Sequence, residues 1–564
     1  MLRRVALDPA RLIKQHAHEW VRLSNVKRMT LPLLLASLVL ISGLAQAAAA
    51  PSQKAVITFG NLLIGDHPGG ITRVEDSVVA PDGSIYVVGE TSPRLGPFDD
   101  PAGDIMVQKL DPDGRDVAWE RYFDSQDADY ANAVTLDAAG NVYVAGGTYE
   151  GNFPTTDGAF MTQGDCASAL IKLTPDGELA FSTLVAESFG GSCPGPVDQD
   201  LVVDASGAAY MIGSTPQASC REGMHFIGER EADHFHVTMV VKISADGSER
   251  PWATCVKGDG DLNGGSAIAL GSQGQILIAG STNATDMPAD GYQLDLGGTW
   301  DAYLATLSPD GSRLEHFTYL GGPNGDDAFE LEPVAGGDVL VLGSFGSGGM
   351  ASPGAAQAQK GGDQDALIAR LSEDGRDLRY ATYLGGESDD RGDGLAIDAG
   401  GRVFVAGVTG SKGFPVVHQF KSRLHGSDAF VATLEPDGST FGYVSYLGGN
   451  DQEFATNIDL SGDGTAIVVG SSASNDLPLA NPTIPDARTQ LTGFIYFISE
   501  LATRCDVLGT AGRDHLYGSP EGDRLCGGAE RDRLTGRDGD DTLVGGPGKD
   551  RCLGGRGRDR KRSC

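Results

Sequence analysis

An internal repeat of 57 to 67 residues runs through most of this chain and constrains its fold more than any other feature of the sequence. Each copy holds a short apolar strand, a glycine-containing turn, a second apolar strand, and then a glycine followed within two residues by Ser or Thr. A period of this length indicates supersecondary units that bury their apolar faces against neighbouring units. The glycines that close the second strands are Gly89, Gly146, Gly213, Gly280, Gly343, Gly407 and Gly470.

A second hairpin is interleaved with the first. It is marked by an Asp-Gly pair between apolar strands, which is a strong hairpin signal because glycine accepts the positive φ of tight turns. Each copy therefore holds two hairpins, or four short strands. Four strands per copy, repeated in this way, predict an all-β chain folded as a β-propeller. The aspartates of these pairs are Asp113, Asp176, Asp246, Asp310, Asp374 and Asp437.

The ends of the repeat region predict how the ring closes. There are seven first hairpins but only six second ones, and the last copy stops after a single strand at 493–501. The segment 55–60 resembles the strands that end in Tyr-Leu-Gly-Gly, such as those ending at 319–322 and 383–386. We expect this N-terminal strand to complete the last blade, so that a seven-bladed propeller occupies residues 51–502. Such closure would leave no end blade unpaired.

Several phrases of the repeat resemble bacterial SBBP-type β-propeller repeats. They are the Tyr-Leu-Gly-Gly strand ends and the segments 152–156, 398–407 and 428–432. The resemblance covers roughly residues 54–501 and is strongest in the last three copies. It implies the propeller fold but no common reaction, and a fold alone does not give a function. The second and third copies depart from it, because their fourth strands lack Tyr-Leu-Gly-Gly and they contain four cysteines.

The C-terminal tail has a different and shorter repeat. From residue 509 the sequence falls into six nonapeptides, 509–517, 518–526, 527–535, 536–544, 545–553 and 554–562. Each begins with glycine, and the eighth residue is leucine in the first four copies, followed by Cys552 and Lys561. The sixth residue is always aspartate, namely Asp514, Asp523, Asp532, Asp541, Asp550 and Asp559.

This pattern resembles the RTX, or haemolysin-type, calcium-binding repeat. The resemblance implies a parallel β-roll over residues 503–564 with Ca²⁺ as its cofactor. Glycine turns can point their carbonyls inward beside the aspartate, and Ca²⁺ prefers six to eight such hard oxygens. We expect the ligands to be the six aspartates together with the backbone carbonyls of Gly527, Gly528, Gly536, Gly545 and Gly546.

The nonapeptides are not uniform, which leaves an alternative open. Glycine is replaced at the second position by Thr510, Ser519 and Arg537, and at the fourth position by Glu521 and Glu530. The last copy has lost its apolar residue and ends in Arg-Lys-Arg, so we expect it to act as a cap. The alternative is a metal-free, glycine-rich tail that disulfides hold in order.

The eight cysteines indicate disulfides in an oxidising compartment, and no Cys-x-x-Cys suggests a zinc cluster. Residues two nonapeptides apart lie on the same side of a β-roll, which favours two pairings in the tail. For the second and third propeller copies, the nearest cysteines in sequence are the natural pairs. The resulting expectations are Cys505–Cys526, Cys552–Cys564, Cys166–Cys193 and Cys220–Cys255.

The first 50 residues are predicted to be a secretory signal peptide with a long basic region. An uncharged apolar run at about 31–44 follows Lys27 and Arg28 and ends in a small-x-small sequence at 45–47. Met29 is a candidate for the true start. The rival interpretation is an uncleaved membrane anchor, since 30–50 is nearly long enough to span. Cleavage would leave a secreted or cell-surface protein with no later membrane span.

The charge of the chain is carried by the propeller region. The net charge is −34. Residues 51–502 hold 23 basic and 64 acidic side chains, whereas 503–564 hold 13 and 11. Such a field repels phosphate backbones and excludes nucleic acid as a natural partner. It favours cations, neutral glycans or basic proteins.

Acidic residues cluster in the loops between successive copies, and two interpretations remain open. They could form an electronegative rim that recruits cations or a basic partner. Alternatively, they are ordinary turn residues, since loops are polar and aspartate suits turns. The residues are Asp124, Asp127, Asp129, Asp259, Asp261, Asp326, Asp327, Asp389, Asp390, Asp451 and Glu453.

The sequence contains no recognisable catalytic motif. Gly-x-Ser-x-Gly, His-Glu-x-x-His and a phosphate-binding Gly-Lys loop are all missing from it. Asp259, Asp261 and Asn263 mimic the first half of an EF-hand loop, but the twelfth residue is Leu270 where a glutamate is needed. We therefore expect at most a weak second calcium loop there.

Three functions are compatible with these patterns. The leading one is a secreted, non-catalytic propeller that binds an extracellular protein or glycan, with the calcium-binding tail as a stabilising or attachment module. The second is an extracellular lyase or hydrolase with its site at the mouth of the propeller channel. The third is a structural component of the envelope or matrix. A cluster of His, Arg and Tyr on one face would favour the enzyme.

Overall fold

The computed structural model describes residues 54–63, 71–92, 103–125, 128–149, 151–187, 199–221, 223–228, 236–260, 263–482, 491–501 and 504–564. These parts are all-β, apart from one short 3-10 turn at Gln217–Ser219. They include no helix long and apolar enough to cross a membrane. The signal peptide predicted for residues 1–50 lies outside the described ranges.

The first described strand is β1 (Lys54–Leu63), and the strands that follow build six separate sheets from consecutive stretches of chain. Five of these sheets have four antiparallel strands in sequential order. In chain order the strands are β2 (Ile71–Val79), β3 (Ile85–Ser92), β4 (Asp104–Leu110) and β5 (Val117–Phe123); β6 (Asp129–Leu136), β7 (Val142–Thr148), β8 (Ala167–Leu173) and β9 (Leu179–Glu187); β10 (Asp200–Val203), β11 (Ala209–Pro216), β12 (His225–Ile227), β13 (His236–Ile243) and β14 (Trp252–Val256); β15 (Asn263–Leu270), β16 (Ile276–Thr282), β17 (Asp301–Leu307) and β18 (Leu314–Leu320); β19 (Asp326–Val334), β20 (Asp338–Phe345), β21 (Asp365–Ser372) and β22 (Leu378–Leu384); and β23 (Asp390–Ile397), β24 (Val403–Thr409), β25 (Asp428–Leu434) and β26 (Phe441–Leu447).

The third sheet has a fifth strand, which the sequence did not predict. Strand β12 comes from the loop after β11 and pairs in parallel with the outermost strand, β14. A disulfide between Cys220 and Cys255 ties this loop to β14. The departure of this copy from the repeat pattern therefore corresponds to an inserted, covalently attached edge strand.

The next stretch supplies β27 (Glu453–Leu460), β28 (Ala466–Ser472), β29 (Leu479–Ala480) and β30 (Thr492–Leu501). Strands β27, β28 and β30 form a sheet in that order, and the N-terminal strand β1 is its fourth member. Strand β1 pairs antiparallel with β30 from Lys54↔Leu501 to Leu63↔Gly493. The pairing of the two ends of the repeat region is therefore as predicted.

The arrangement of these sheets is propeller-like. The first strand of each sheet contacts the first strand of the next, through β2, β6, β10, β15, β19, β23 and β27, and β27 contacts β2. The third-to-fourth strand turns contain the predicted Asp-Gly pairs, with positive φ at Gly114, Gly311 and Gly438, for example. The apolar cores lie between neighbouring sheets, where Leu342 and Ile368 pack with Phe430 and Tyr446.

The glycine that closes the second strand has a specific structural cause in six of the seven copies; in the third copy the described part of β10 carries no bulge. The first strand carries a β-bulge opposite this glycine, as between Ala328 and Glu330 beside Gly343. The bulge pushes the carbonyl of Asp327 against Gly343, where an added Cβ would collide with it. The same collision occurs between Gly407 and the carbonyl of Arg391. The repeat glycine is thus required by the bulge, and the bulge re-aims side chains of the first strand.

The tail forms a parallel β-solenoid whose strands alternate between two sheets. They are β31 (Val507–Leu508), β32 (His515–Tyr517), β33 (Arg524–Cys526), β34 (Arg533–Thr535), β35 (Thr542–Val544), β36 (Arg551–Leu553) and β37 (Arg560–Arg562). One sheet has the order β29-β32-β34-β36, and the other continues the propeller sheet as β1-β31-β33-β35-β37. Both solenoid sheets therefore begin on strands that lie outside the nonapeptides.

A single column of leucines fills the inside of the solenoid. Leu516, Leu525, Leu534 and Leu543 are completely buried and share one apolar cluster with Phe494 of the adjoining propeller sheet. Each leucine comes from the eighth position of a nonapeptide, as the sequence pattern requires. The core of the tail is therefore one residue wide and continuous with the core of the propeller.

Candidate functional site

The aspartates of the tail form two stacked columns, one along each row of turns. In each column the backbone N–H of one aspartate donates to the carboxylate of the aspartate two nonapeptides further on. Asp514 donates to Asp532 Oδ1 and Asp532 to Asp550 Oδ1, both at 3.0 Å. In the other column Asp523 donates to Asp541 Oδ1 at 3.0 Å. This ladder uses one oxygen of each acceptor and leaves the other for a different partner.

The second oxygen separates the aspartates into two groups. Asp514 Oδ2 accepts from Thr510 N at 2.8 Å, and Asp523 Oδ2 accepts from Ser519 N at 2.7 Å and from its hydroxyl at 3.0 Å. In contrast, the Oδ2 atoms of the next three aspartates along the chain are buried and have no hydrogen-bond partner; they belong to Asp532, Asp541 and Asp550. Buried carboxylate oxygens without a donor are costly unless a cation satisfies them.

The glycine at the start of each nonapeptide leaves a space that these oxygens share. An added Cβ on Gly527 would touch both Asp532 Oδ2 and the carbonyl oxygen of Gly545. The equivalent position on Gly518 is 2.7 Å from Asp523 Oδ2 and 2.6 Å from the carbonyl oxygen of Gly536. Carboxylate and carbonyl oxygens from successive coils therefore converge. This donor set fits Ca²⁺, which prefers hard oxygen ligands.

Side chains alone do not assemble a metal cluster in the described ranges of the chain. Within them, no three His, Cys, Asp or Glu residues come together in a way that could hold an ion. A calcium ion in the tail would therefore depend on backbone carbonyls for most of its ligands. The carbonyl oxygens of Gly527, Gly536 and Gly545 lie beside the aspartate one coil earlier in the same row. The pairs are Gly527 with Asp514, Gly536 with Asp523, and Gly545 with Asp532.

The electrostatics of the tail also favour a cation. Burial, reinforced by the nearby carboxylate of Asp506, raises the pKa of Asp523 to about 8. Burial also raises the pKa of Asp541 to about 6 and that of Asp532 above its usual value. A bound cation reverses this effect because it stabilises the charged form of the carboxylate.

Two replacements of consensus glycine keep the glycine backbone geometry. Glu530 and Arg537 have φ of 66° and 72°, in the left-handed region that non-glycine residues rarely adopt. Arg537 Nη1 donates to the carbonyl of Leu477 at 2.6 Å and to that of Gly518 at 2.9 Å. Since Leu477 precedes β29, this arginine joins the tail to the propeller region.

The replacement at position 521 serves the same junction. Glu521 Oε2 accepts from the backbone N–H and the hydroxyl of Ser422, at 3.4 and 3.3 Å. Glu521 Oε1 lies 3.9 Å from His425 Nδ1. Lys54 of β1 and Asp506 also form an ion pair at this junction. Residues that weaken the nonapeptide consensus therefore attach the tail to the rest of the molecule.

Disulfides hold both ends of the tail. Cys505 bonds to Cys526 and Cys552 bonds to Cys564, which are the pairings expected from the sequence. The seven cysteines that the structure describes are all disulfide-bonded, including Cys166. Cys193, its expected partner, lies outside the described residues.

The acidic loops between propeller copies combine buried and exposed carboxylates in the part of the chain that the structure describes. Four of their carboxylates are buried and hold the loops together; they are Asp129, Asp326, Asp390 and Glu453. Asp326, for example, accepts from Gly322 N at 2.8 Å and from Ser347 N at 2.9 Å. Asp124, Asp389 and Asp451 are exposed, whereas Asp127 and Asp261 lie outside the described residues. The buried members therefore hold the loops together, and an electronegative rim formed by the exposed members stays a prediction.

The predicted weak calcium loop is only partly described. Asp259 Oδ1 accepts from Thr285 N at 2.6 Å, and Oδ2 accepts from the Thr285 hydroxyl at 2.7 Å. Asn263 is the first residue of β15. Asp259 is thus occupied by a protein partner, and calcium binding at this loop stays a prediction.

The sequence reasoning missed an acidic cavity at the centre of the propeller region. The cavity has a volume of about 700 Å³ and is lined by first strands of the sheets. Its described lining contains one basic residue, Arg391, whose guanidinium lies 2.6 Å from Asp393. It also contains seven carboxylates, namely Glu75, Asp76, Asp200, Glu330, Glu332, Asp393 and Asp459.

Two of these carboxylates connect neighbouring sheets. Asp76 Oδ2 accepts from Val134 N and Asp200 Oδ2 from Ile268 N, both at 2.7 Å. Each acceptor lies on one first strand and each donor on the next, beside a bulge. Since β6 and β15 are edge strands of their sheets, these carboxylates satisfy outward-facing backbone N–H groups that have no strand partner on that side.

The remaining carboxylates face the cavity and are hard to ionise. Burial is the main cause, and it raises the pKa of Glu75, Glu332 and Asp459 to about 7. It raises the pKa of Asp393 to about 6 and places that of Glu330 well above its usual value. Neighbouring carboxylates add to the effect at Glu332. Some of the carboxyl groups that line the cavity are thus protonated near neutral pH.

A signal for this cavity was present in the sequence. The residue 13 positions before the closing glycine lines the cavity on five of the seven first strands. An inner strand would normally carry an apolar or small residue at this position. Carboxylates there indicate a polar cavity. The residues there are Asp76, Ala133, Asp200, Ala267, Glu330, Gly394 and Asn457.

Comparisons with solved structures show only distant likenesses. A quinohemoprotein alcohol dehydrogenase from Comamonas testosteroni is 9% identical, with 80% of this chain and 78% of that chain covered and a TM-score of 0.39. A protein of unknown function from Dyadobacter fermentans is 10% identical, with 63% and 94% covered and a TM-score of 0.37. An acylaminoacyl peptidase from Pyrococcus horikoshii is 11% identical, with 72% and 51% covered and a TM-score of 0.35. No inference about activity follows from such likenesses.

The tail gives a clearer comparison. A search among curated proteins finds no match to this chain. Residues 506–534 and 527–560, however, match the family model of the RTX calcium-binding nonapeptide repeat. The C-terminal region of this chain therefore carries RTX calcium-binding repeats on a propeller-like all-β body.

Proposed function

We propose that this chain is a secreted, non-catalytic binding protein. In this proposal a seven-bladed propeller of the SBBP type engages a protein or glycan outside the cell or at its surface. The C-terminal solenoid binds Ca²⁺ and stabilises or attaches the molecule. Secretion is supported by the signal-like first 50 residues and by disulfides, which persist in oxidising compartments.

The count of seven blades is supported by the contacts of the first strands. Six sheets and the sheet β27-β28-β30-β1 each contribute one first strand to the closed sequence of contacts. In this interpretation β1 completes the last blade by pairing with β30. Closure by a strand from the other end of the repeat region joins the ring without a free blade edge.

One observation carries the calcium proposal: three buried carboxylate oxygens in the tail have no donor within the protein. The candidate ligands are the sixth-position aspartates and the carbonyls of Gly527, Gly528, Gly536, Gly545 and Gly546, and the buried oxygens without a donor favour Asp532, Asp541 and Asp550 among the aspartates. Bound Ca²⁺ supplies positive charge to these oxygens. The protein's own part is to hold oxygens of successive coils at one point, through the parallel pairing of residues 18 apart.

Calorimetric melting of the mature chain with Ca²⁺ or with EGTA tests this proposal. A ligand that binds the folded state at a hundredfold excess over its Kd adds about 2.7 kcal/mol of stability per site. We expect Ca²⁺ to raise the melting temperature of the tail, and Mg²⁺ at the same concentration to do so much less. Identical melting curves in Ca²⁺ and EGTA would remove calcium from the proposal.

The partner of the propeller is proposed from charge. With 23 basic and 64 acidic side chains in residues 51–502, the propeller region favours a basic protein or a neutral glycan over an anionic one. A glycan array and capture from the native cell surface, at low and high salt, distinguish the two. A basic partner dissociates as salt rises, and a neutral glycan remains bound.

The cavity supports a second candidate, an extracellular hydrolase or lyase. Carboxylates with a pKa near 7 in a cavity are typical of acid–base sites. Turnover of a panel of polysaccharides by the wild type, lost in both Glu75→Gln and Glu332→Gln, would favour this enzyme. The described lining of the cavity includes neither His nor Tyr, so the cluster of His, Arg and Tyr that would favour an enzyme is not found there.

A further inference from the structure

Five of the six nonapeptides fall into two structural classes. In 509–517 and 518–526 the aspartate closes its own turn, since Thr510 N and Ser519 N donate to Asp514 and Asp523. The hydroxyls of Thr510 and Ser519 also reach these carboxylates, at 3.0 Å each. In the next three nonapeptides the corresponding Oδ2 atoms are buried and lack a donor.

The backbone at the second position explains the division. In the later nonapeptides this residue is left-handed, with φ of 103° at Gly528, 72° at Arg537 and 98° at Gly546. Thr510 and Ser519 are not in that region. The second-position N–H donates to the aspartate in the turns without positive φ, and no such hydrogen bond is found in the described turns with positive φ. The two classes therefore differ in backbone geometry as well as in side chains.

The closed class repeats a hydrogen-bonding pattern that the propeller region also uses. There, the N–H of a glycine donates to the carboxylate four residues later, from Gly322 to Asp326 at 2.8 Å and from Gly386 to Asp390 at 2.6 Å. Thr510 and Asp514, like Ser519 and Asp523, have the same spacing. In both regions a hydroxyl group donates a further hydrogen bond to the carboxylate. In the propeller region, for example, the Ser411 hydroxyl donates to Asp390 Oδ2 at 2.8 Å.

A donor hydrogen and a metal ion compete for the same carboxylate lone pair. A backbone N–H cannot act as a ligand, and it remains at Oδ2 unless the turn changes its φ. Ca²⁺ at the closed turns would have to displace two hydrogen bonds, whereas at the open turns it would satisfy an oxygen that lacks any. Occupancy should therefore differ sharply between the two classes.

We propose that Thr510 and Ser519 take the place of calcium in the two nonapeptides nearest the propeller, and that Ca²⁺ binds only at the turns of Asp532, Asp541 and Asp550. This inference rests on the proposed calcium-binding function and deepens it. The closed nonapeptides contain β32 and β33, which pair with β29 and β31 next to the propeller sheet. The base of the tail folds without calcium, and the distal nonapeptides require it.

Native mass spectrometry of the mature chain in Ca²⁺-containing buffer counts the ions directly. We expect three in the wild type and four in either Thr510→Gly or Ser519→Gly, because each change opens a closed turn. Asp532→Asn should lose one ion. Two matched controls should keep the count at three: Asp514→Asn in a closed turn, and Thr535→Ala, whose hydroxyl has no hydrogen-bond partner.

Hydrogen exchange of the wild type in EGTA tests the same division without any variant. We expect amides of 504–526 to stay protected and those of 527–562 to exchange rapidly, with protection restored by Ca²⁺. Five ions in the wild type, or equal exchange of both segments in EGTA, would overturn the division while leaving calcium binding intact. No bound ion in the wild type would instead overturn the calcium proposal itself.

Discussion

The propeller region and the tail use the same residue in opposite ways. Both place an aspartate after a glycine-containing turn and bury its carboxylate. In the propeller, Asp326 and Asp390 receive donors from the chain on both oxygens. In the distal tail, Asp532 and Asp541 keep a buried oxygen without any donor. These two propeller carboxylates are satisfied by the chain itself, whereas those of the distal tail depend on what the solvent supplies.

The two regions differ equally in their apolar cores. Each propeller sheet packs on two neighbours through several large side chains, such as Phe430 and Tyr446. The tail has one leucine per nonapeptide and a shared cluster with the propeller sheet. Stability in a solenoid is roughly a sum of local terms. When one coil loses apolar contacts, few neighbouring residues can therefore compensate.

The largest expected effect comes from truncating the narrow core. Leu534→Ala should destabilise the tail by about 2 to 5 kcal/mol, the usual range for a fully buried leucine. Leu367→Ala, an equally buried leucine in β21, is the matched change in the propeller. Calorimetry in saturating Ca²⁺ should show the first variant lowering only the tail transition, and the second only the propeller transition. A single transition lowered by both would show that the regions unfold together.

The junction is expected to show a smaller effect with a diagnostic order. Arg537→Gly loses hydrogen bonds from a charged donor, at about 1.5 to 3 kcal/mol. It also relieves a left-handed φ that costs about 1 to 2 kcal/mol. Arg537→Ala loses the same bonds but keeps the strain. Thermal unfolding should therefore show the tail to be most stable in the wild type, less stable in Arg537→Gly and least stable in Arg537→Ala. Equal stability of the two variants would contradict backbone strain at this position.

The propeller should respond to pH through its cavity. The folded-state pKa of Glu332 is raised to about 7, so the folded state binds a proton that the unfolded state releases near pH 4. This contribution to stability is complete below about pH 4 and is lost as pH rises through about 7. Glu332→Gln should remove part of this loss, on the order of 1 kcal/mol between pH 6 and 8.

Melting of the propeller at several pH values, at fixed Ca²⁺, measures this dependence. Glu249→Gln is a suitable control because Glu249 is exposed. The control should keep the wild-type slope of stability against pH. A slope that Glu332→Gln does not change would assign the pH dependence to other groups.

The smallest effect is expected at the far end of the tail. Lys561 occupies the apolar position of the last nonapeptide and is exposed on the edge strand β37. Lys561→Leu should change the unfolding free energy by less than about 0.5 kcal/mol, since no further coil covers it. It should increase self-association, because charge on an edge strand discourages pairing with another chain. Sedimentation velocity of the variant and wild type would measure this, and equal profiles would contradict it.

The strands could be predicted from the sequence because their signals are local. Asp-Gly turns and closing glycines each reflect one backbone requirement, and the structure shows that Gly343 faces the bulge at Asp327. The RTX repeats and the tail disulfides follow from period alone. Strand β12 could not be predicted, because it lies in an insertion and pairs through a disulfide-linked loop.

The cavity and the two classes of turn depend on contacts that a sequence does not display. Asp76 meets its partner Val134 only when two bulged strands come side by side. Thr510 and Ser519 read as poor calcium positions in the sequence, whereas the structure makes them donors to their own aspartates. A departure from a repeat pattern can therefore be a substitute for the ligand as well as a loss of it.

The position of β1 between β30 and β31 has a consequence for the order of folding. Thr58 of β1 hydrogen-bonds to Phe497, 439 residues later in the chain. At about 5 to 20 residues per second, a ribosome needs roughly 20 to 90 s to make that interval. During this time β1, the first described strand, has no strand to pair with, and the tail has no sheet edge on which to start. The earliest described strand is thus among the last to enter a sheet, and its arrival joins the last propeller sheet to the tail.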